Sequence, residues 1–198
     1  MTEFTYMTEG IRKASGVPDK NKNDFLVGLE KRNDEQKKFV ELIRGLFEGK
    51  YWSITVLGTV GNGKTTIGCS SVNHWNSVNY FFDEPAYYKT QSELVLEFKD
   101  TYNHDSTKTE SALLTEYARK AKLLVIDELN PKEWTETNRS LIQRILLERY
   151  ANRRMTILIG NLTAKKLKEM FDPHIISRLR EGQTLFMLAP DMRVKTEF

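Results

Sequence analysis

The chain predicts a three-layer α/β fold, and three observations carry that expectation. Short apolar runs alternate with helix-patterned segments along its 198 residues. One run, Leu123 to Ile126, is apolar at every position, as in a strand buried on both faces of a parallel sheet. A glycine-rich turn, within "ITVLGTVGNGKTTIG", stands between a strand-like stretch and a helix-compatible one.

The elements follow in order. Residues 1–24 are poor in apolar side chains and include "ASGVPDKNKND", so a flexible N-terminal arm, or else a segment that adheres to the domain, is expected there, with 25–198 as the one folded domain. From Asp34, read as an N-cap, a helix should place Phe39, Val40, Ile43, Leu46 and Phe47 on one face and end at Gly49. Ser53 to Leu57 reads as the first strand, with helix propensity resuming through "TTIGCSSVNHW". Ala86 to Thr90 reads as the second strand, followed by helices in "SELVLEFKDTY" and "ESALLTEYARKA". After the third strand, "TETNRSLIQRILLERYANRR" is a helix with Leu141, Ile142, Ile145 and Leu146 on its apolar side. "MTILIGN" and "TLFML" supply the fourth and fifth strands.

Composition narrows the class. Charged residues make up 29% and hydrophobic residues 39%, the balance of an ordinary globule. No run approaches the roughly 20 apolar residues that span a bilayer, and "MTEFTYMTEGIRKASG" lacks the apolar centre of a signal peptide. A cytoplasmic location is therefore expected. The single cysteine, Cys69, excludes an internal disulfide and reads as a packing residue, while His74, His104 and His174 lack ligand-like spacing. A net charge of +3 permits nucleic-acid contact only through a local surface.

The turn carries chemistry. It fits G-x-x-x-x-G-K-[ST] at Gly58, Gly63, Lys64 and Thr65. Such a loop, here Gly58, Thr59, Val60, Gly61, Asn62, Gly63, Lys64, Thr65 and Thr66, can close its backbone N–H groups around phosphate while the next helix adds its positive end. Lys64 would reach the β- and γ-phosphates of ATP, and the Thr65 hydroxyl would ligate Mg²⁺. Asp127 and Glu128 end the buried third strand, where parallel sheets place ligands. Asp127 suits a hydrated Mg²⁺, and Glu128 suits a water aimed at the γ-phosphate, although an acid pair in "DELNP" could also merely start a turn. Asn161 closes the fourth strand and would bring its amide to the same phosphate, its plainer alternative being a turn residue. For Arg178, in "HIISRLREG", the choice lies between a solvated surface arginine and a finger offered to a neighbouring subunit.

Together "GTVGNGKTT", "SELVLEFKDTYN", "LLVIDEL", "LIGNL" and "ISRLREG" resemble, in order and spacing, the DnaC/IstB-like branch of the AAA+ P-loop ATPases, from about Asn33 to Leu188. That branch contains bacterial and phage helicase loaders and transposition helpers. The resemblance implies a five-stranded parallel sheet of order 5-1-4-3-2, ATP at a subunit interface of a homo-oligomer, and Arg178 acting in trans. It also implies that the segment around "AYYKTQSELVLEFKDTY" faces single-stranded DNA; the residues read for that contact are Lys89 and Lys99 on phosphates and Tyr87 or Tyr88 offering a ring to bases, with the plainer alternative that one of the two tyrosines packs in the core. Two departures stand out: only about 50 residues precede the phosphate loop, and the chain ends ten residues after "TLFML", so neither a helicase-gripping N-terminal domain nor a C-terminal lid is expected.

The expected activity is ATP-dependent loading of a replicative helicase onto single-stranded DNA. A transposition helper working with a transposase is the alternative, followed by a P-loop kinase or a nucleotide-dependent binding switch. A kinase has no use for an Asp-Glu pair followed by a strand-end Asn.

Overall fold

The computed structural model describes residues 9–79, 83–103 and 105–191, so the first eight residues of the expected arm and His104 lie outside the described residues. Five parallel strands, β1 (Ser53–Gly58), β2 (Ala86–Thr90), β3 (Leu123–Asp127), β4 (Met155–Gly160) and β5 (Gln183–Met187), form one sheet in the order β2-β3-β4-β1-β5. That is the expected 5-1-4-3-2. β1 occupies an inner position, paired with β4 through Val56 and Ile159 and with β5 through Val56 and Leu185.

Side chains alternate between the two faces of each strand, which splits the core in two. On one face Leu57, Leu124, Ile126 and Leu158 pack under α4 (Gln91–Asp100), α5 (Glu110–Leu114), α6 (Glu136–Ala151), α7 (Ala164–Met170) and α8 (Pro173–Leu179). On the other, Ile54, Val56, Val125 and Ile157 meet α2 (Asp34–Phe47) and α3 (Lys64–Asn79). The apolar stripe expected on α2 is there, with Phe39, Val40, Ile43 and Leu46 buried. Its cap lies one residue earlier than expected. Asn33 has extended backbone and its side chain accepts from the Gln36 N–H, whereas Asp34 is already helical. Cys69 is buried in this second layer, and burial pushes its thiol pKa up.

The described part of the arm is packed. Glu9–Ser15 forms a short helix, α1, and Asp19–Asn21 a 3-10 turn, with Ser15 and Asn21 buried. The Asn73 amide on α3 donates to the carbonyls of Asn21 (2.9 Å) and Asp24 (2.8 Å), fastening the segment across that helix.

A second unexpected feature follows α5. Thr115–Lys120 winds as a π-helix, which leaves carbonyls without their usual α-helical partners. Arg149, fully buried on α6, donates to the carbonyls of Tyr117 (2.5 Å), Ala121 (3.0 Å) and Met155 and to the Thr156 hydroxyl (2.9 Å). The guanidinium thereby ties the wide turn to the entry of β4. No described helix is long and apolar enough to cross a membrane.

Candidate nucleotide and metal site

Because the strands are parallel, their carboxyl ends lie along one rim of the sheet, and the motif residues meet there. A cleft of about 550 Å³ is lined by Val60 to Thr66, Asp127, Glu128 and Asn161, with Lys20 and Asn21 from the N-terminal segment on one side. The geometry thus brings together the loop, the acid pair and the strand-end asparagine.

The loop is held from behind. Gly58 has φ +149° and a Cβ there would stand 1.9 Å from the Met187 carbonyl oxygen, so only glycine lets β1 turn against the end of β5. The Asn62 side chain is fully buried, donating to the Met187 carbonyl at 2.5 Å and accepting from the Lys64 ammonium at 2.9 Å. Lys64 also donates to the Thr59 carbonyl. From α2, Gln36 donates to the Asn62 carbonyl at 3.0 Å, and the two Glu35 oxygens accept from the N–H groups of Leu188 and Ala189, each at 3.0 Å.

At the other wall the Asp127 carboxylate is 2% exposed and has three donors. The Thr65 hydroxyl (2.7 Å) and the Tyr88 hydroxyl (2.9 Å) reach its Oδ2, and the Glu128 N–H reaches its Oδ1 at 2.6 Å. Glu128 itself is exposed, lines the cleft, and is held at φ +56°, a left-handed conformation that a non-glycine residue adopts at a cost. The donor set fits a small hard cation: a hydroxyl whose proton is committed to Asp127 keeps lone pairs for Mg²⁺, and the carboxylate can take the hydrating waters. No cluster of three or more His, Cys, Asp or Glu side chains able to hold a metal occurs among the described residues. A phosphate-bridged Mg²⁺ does not require one, since it keeps waters and takes only one or two protein ligands.

Arg178 is not brought to this cleft within the chain. Its carbonyl accepts from the Trp52 indole N–H at 3.0 Å, just before β1 begins, and its guanidinium lies 5.2 Å from the centre of the Tyr150 ring. The phosphate loop leaves the far end of β1, about 16 Å away along five strand steps.

The expected DNA contacts divide, and Tyr88 is corrected. Successive residues of β2 point to opposite faces, so the two tyrosines cannot share a surface. Tyr88 is 2% exposed and spends its hydroxyl on Asp127, with burial, then the Asp127 charge, pushing its phenol pKa up. It presents no ring to a base. Tyr87 is half-buried, edge-on to Tyr117 with 5.3 Å between centres. Lys89 is ion-paired with Glu97 and lies 5.6 Å from the Tyr117 ring centre, which engages its charge inside the fold. Lys99 alone of the four stands exposed, beside a separate cavity of about 370 Å³ between α4 and α6.

Sequence reasoning missed Tyr88 as a partner of Asp127, Asn62 as the brace of Lys64, and the N-terminal wall of the cleft. For that wall a signal existed, because Asn21 to Asp24 reads N-K-x-D, the spacing with which GTPases read guanine. Here Asn21 donates to Asp24 at 2.7 Å, and Asp24, which a guanine contact would need, is not among the residues lining the cleft.

No family model matches the chain. Two curated relatives are each named replicative helicase loader DnaC. One, from Buchnera aphidicola subsp. Baizongia pistaciae (strain Bp), is 29% identical over 98 residues, 50% of this chain and 39% of the relative. The other, from Buchnera aphidicola subsp. Acyrthosiphon pisum (strain APS), is 24% identical over 180 residues, 87% of this chain and 70% of the relative. The solved structure of the DnaC helicase loader superposes with a TM-score of 0.70 at 18% identity, over 86% of this chain and 99% of that one. In sequence and in fold the chain resembles DnaC helicase loaders. A replication initiator DnaA bound to AMPPCP and single-stranded DNA superposes at 0.71 and 16% identity, over 88% of this chain and 51% of that protein. The shared architecture is the AAA+ fold, with the strand order described above.

Proposed function

We propose that this DnaC-like chain binds ATP with Mg²⁺ in the cleft, hydrolyses it, and uses the cycle to load a replicative helicase onto single-stranded DNA. The observation that carries the reading is the convergence of Lys64, Thr65, Asp127, Glu128 and Asn161 on one rim, in a fold shared with a helicase loader and a nucleotide-bound initiator.

Each residue has a part. The loop N–H groups and the α3 N-terminus hold the phosphates, and Lys64 exchanges its loop carbonyl for phosphate oxygen. Thr65 and Asp127 would hold Mg²⁺, which would supply positive charge against the phosphates. Glu128 accepts the proton of the attacking water, and Asn161 orients that water against the γ-phosphate. Arg178, which lies beside Trp52 and Tyr150 and does not line its own cleft, would complete the site of a neighbouring copy, which makes the active form an oligomer.

Affinity capture from the native host, with ATP and Mg²⁺ present, tests the partner. A hexameric replicative helicase should be recovered. Recovery of a transposase in its place would convert the reading to transposition, an alternative that the loader relatives do not favour.

A further inference from the structure

The Tyr88 hydroxyl is buried at the heart of the site and belongs to none of its motifs. It comes from β2, the edge strand beyond β3, at a position where Tyr88 pairs with Val125 and Thr90 with Asp127. It shares the Oδ2 oxygen of Asp127 with Thr65, while the Glu128 N–H fixes Oδ1. A carboxylate so buried needs hydrogen-bond donors in place of water, and one of its two side-chain donors, Thr65, is also required by the metal.

We propose that Tyr88 is a positioning residue for the magnesium site: its hydroxyl, bonded to Oδ2, holds the Asp127 carboxylate in one orientation beside Thr65, the orientation in which the pair would take the hydrated cation. The inference rests on the reading of the cleft as a metal–nucleotide site. Its physical content is that of an outer-shell donor to a metal-holding carboxylate, whose loss typically weakens metal affinity about 10–100-fold. A tyrosine serving only as packing would predict otherwise. Removal of its hydroxyl would then lower stability and leave metal dependence alone.

Tyr88→Phe keeps the ring and deletes the donor, and replacement of Tyr88 by 3-fluorotyrosine keeps both. The affinity of a fluorescent ATP analogue is measured in EDTA and across a Mg²⁺ titration, with Mn²⁺ binding followed separately by electron paramagnetic resonance and folding followed by thermal melting. In Tyr88→Phe, nucleotide affinity in EDTA should stay within about twofold of wild type, and the Mg²⁺ and Mn²⁺ half-saturation concentrations should rise about tenfold. The fluorotyrosine protein should match wild type. Unchanged metal half-saturation in a cooperatively folded Tyr88→Phe protein, beside a metal-dependent wild type, overturns the role of Tyr88 and leaves the site intact. A wild type whose nucleotide binding ignores both metals overturns the reading of the site, and this inference with it.

Discussion

The Thr65 hydroxyl donates to the Asp127 carboxylate across 2.7 Å, joining positions 62 residues apart in the chain. One residue opens the helix after the phosphate loop, and the other ends a buried strand two places across the sheet from β1. Neither position would face the other without the parallel order β3-β4-β1. The consequences below follow from the groups gathered around that contact, or from those that hold the fold which makes it.

Glu128 stands free at the rim with its backbone in a left-handed conformation. Glu128→Gln should retain nucleotide binding and lose hydrolysis by about 10²–10⁴-fold, because an amide cannot accept the proton of water. Steady-state phosphate release measures this. Turnover at the wild-type rate would place the general base elsewhere.

Much of this was legible in the sequence because it depends on local spacing. The loop motif, the all-apolar Leu123–Ile126 run and the strand-end Asn161 each announce their position without knowledge of the partner element. The sheet order was not read from the residues and came only as what the family resemblance carried by five motifs implies. What stayed hidden depends on non-local pairing. Nothing around Tyr88 says that its ring faces Asp127, since period-two alternation gives two faces and does not say which tyrosine takes which. The same holds for Arg149, which looks like one more charge on an amphipathic helix until β4 and the π-turn close over it.

Arg149 offers a test of that closure. Arg149→Met removes a donor set shared among four backbone carbonyls, those of Tyr117, Ala121, Lys122 and Met155, and Thr156, leaving them buried and short of partners. The expected cost is about 3–5 kcal/mol. For a domain of this size the melting temperature should fall by at least roughly 6 °C. A melt within a degree or so of wild type would show that water or a shifted backbone replaces the guanidinium.

His74 predicts a pH dependence. It stacks on Phe47 with 6.2 Å between ring centres, and burial, followed by the Arg44 charge, lowers its pKa below the ordinary 6.5. The unfolded chain therefore binds this proton more readily than the folded one. The associated stability is fully present above the ordinary value, and is lost as pH falls through it until the folded value is passed. His74→Phe should flatten that slope in melts recorded between about pH 7.5 and about pH 5. An equally steep acid loss in the variant would assign the effect to other groups.

Arg178 tests the oligomer. Arg178→Ala should bind nucleotide and hydrolyse it about 10³–10⁵-fold more slowly, because its charge is missing only where a neighbour's γ-phosphate reacts. Mixed with the inactive Lys64→Ala protein under assembly conditions, it should recover part of the activity, since some interfaces then pair an intact loop with an intact arginine. A mixture as inactive as its components, while wild-type subunits exchange freely, would return Arg178 to the role of a surface arginine resting on Tyr150.

The central claim is that the cleft between the loop and Asp127 holds ATP with its phosphates on Lys64. Calorimetric titration of ATP with Mg²⁺ into wild type and Lys64→Ala tests it most directly, with cooperative melting as the check on folding. Wild type should bind one nucleotide per chain, and Lys64→Ala should lose roughly 100-fold in affinity, about 2.7 kcal/mol. ATP bound equally well by both proteins would contradict the account.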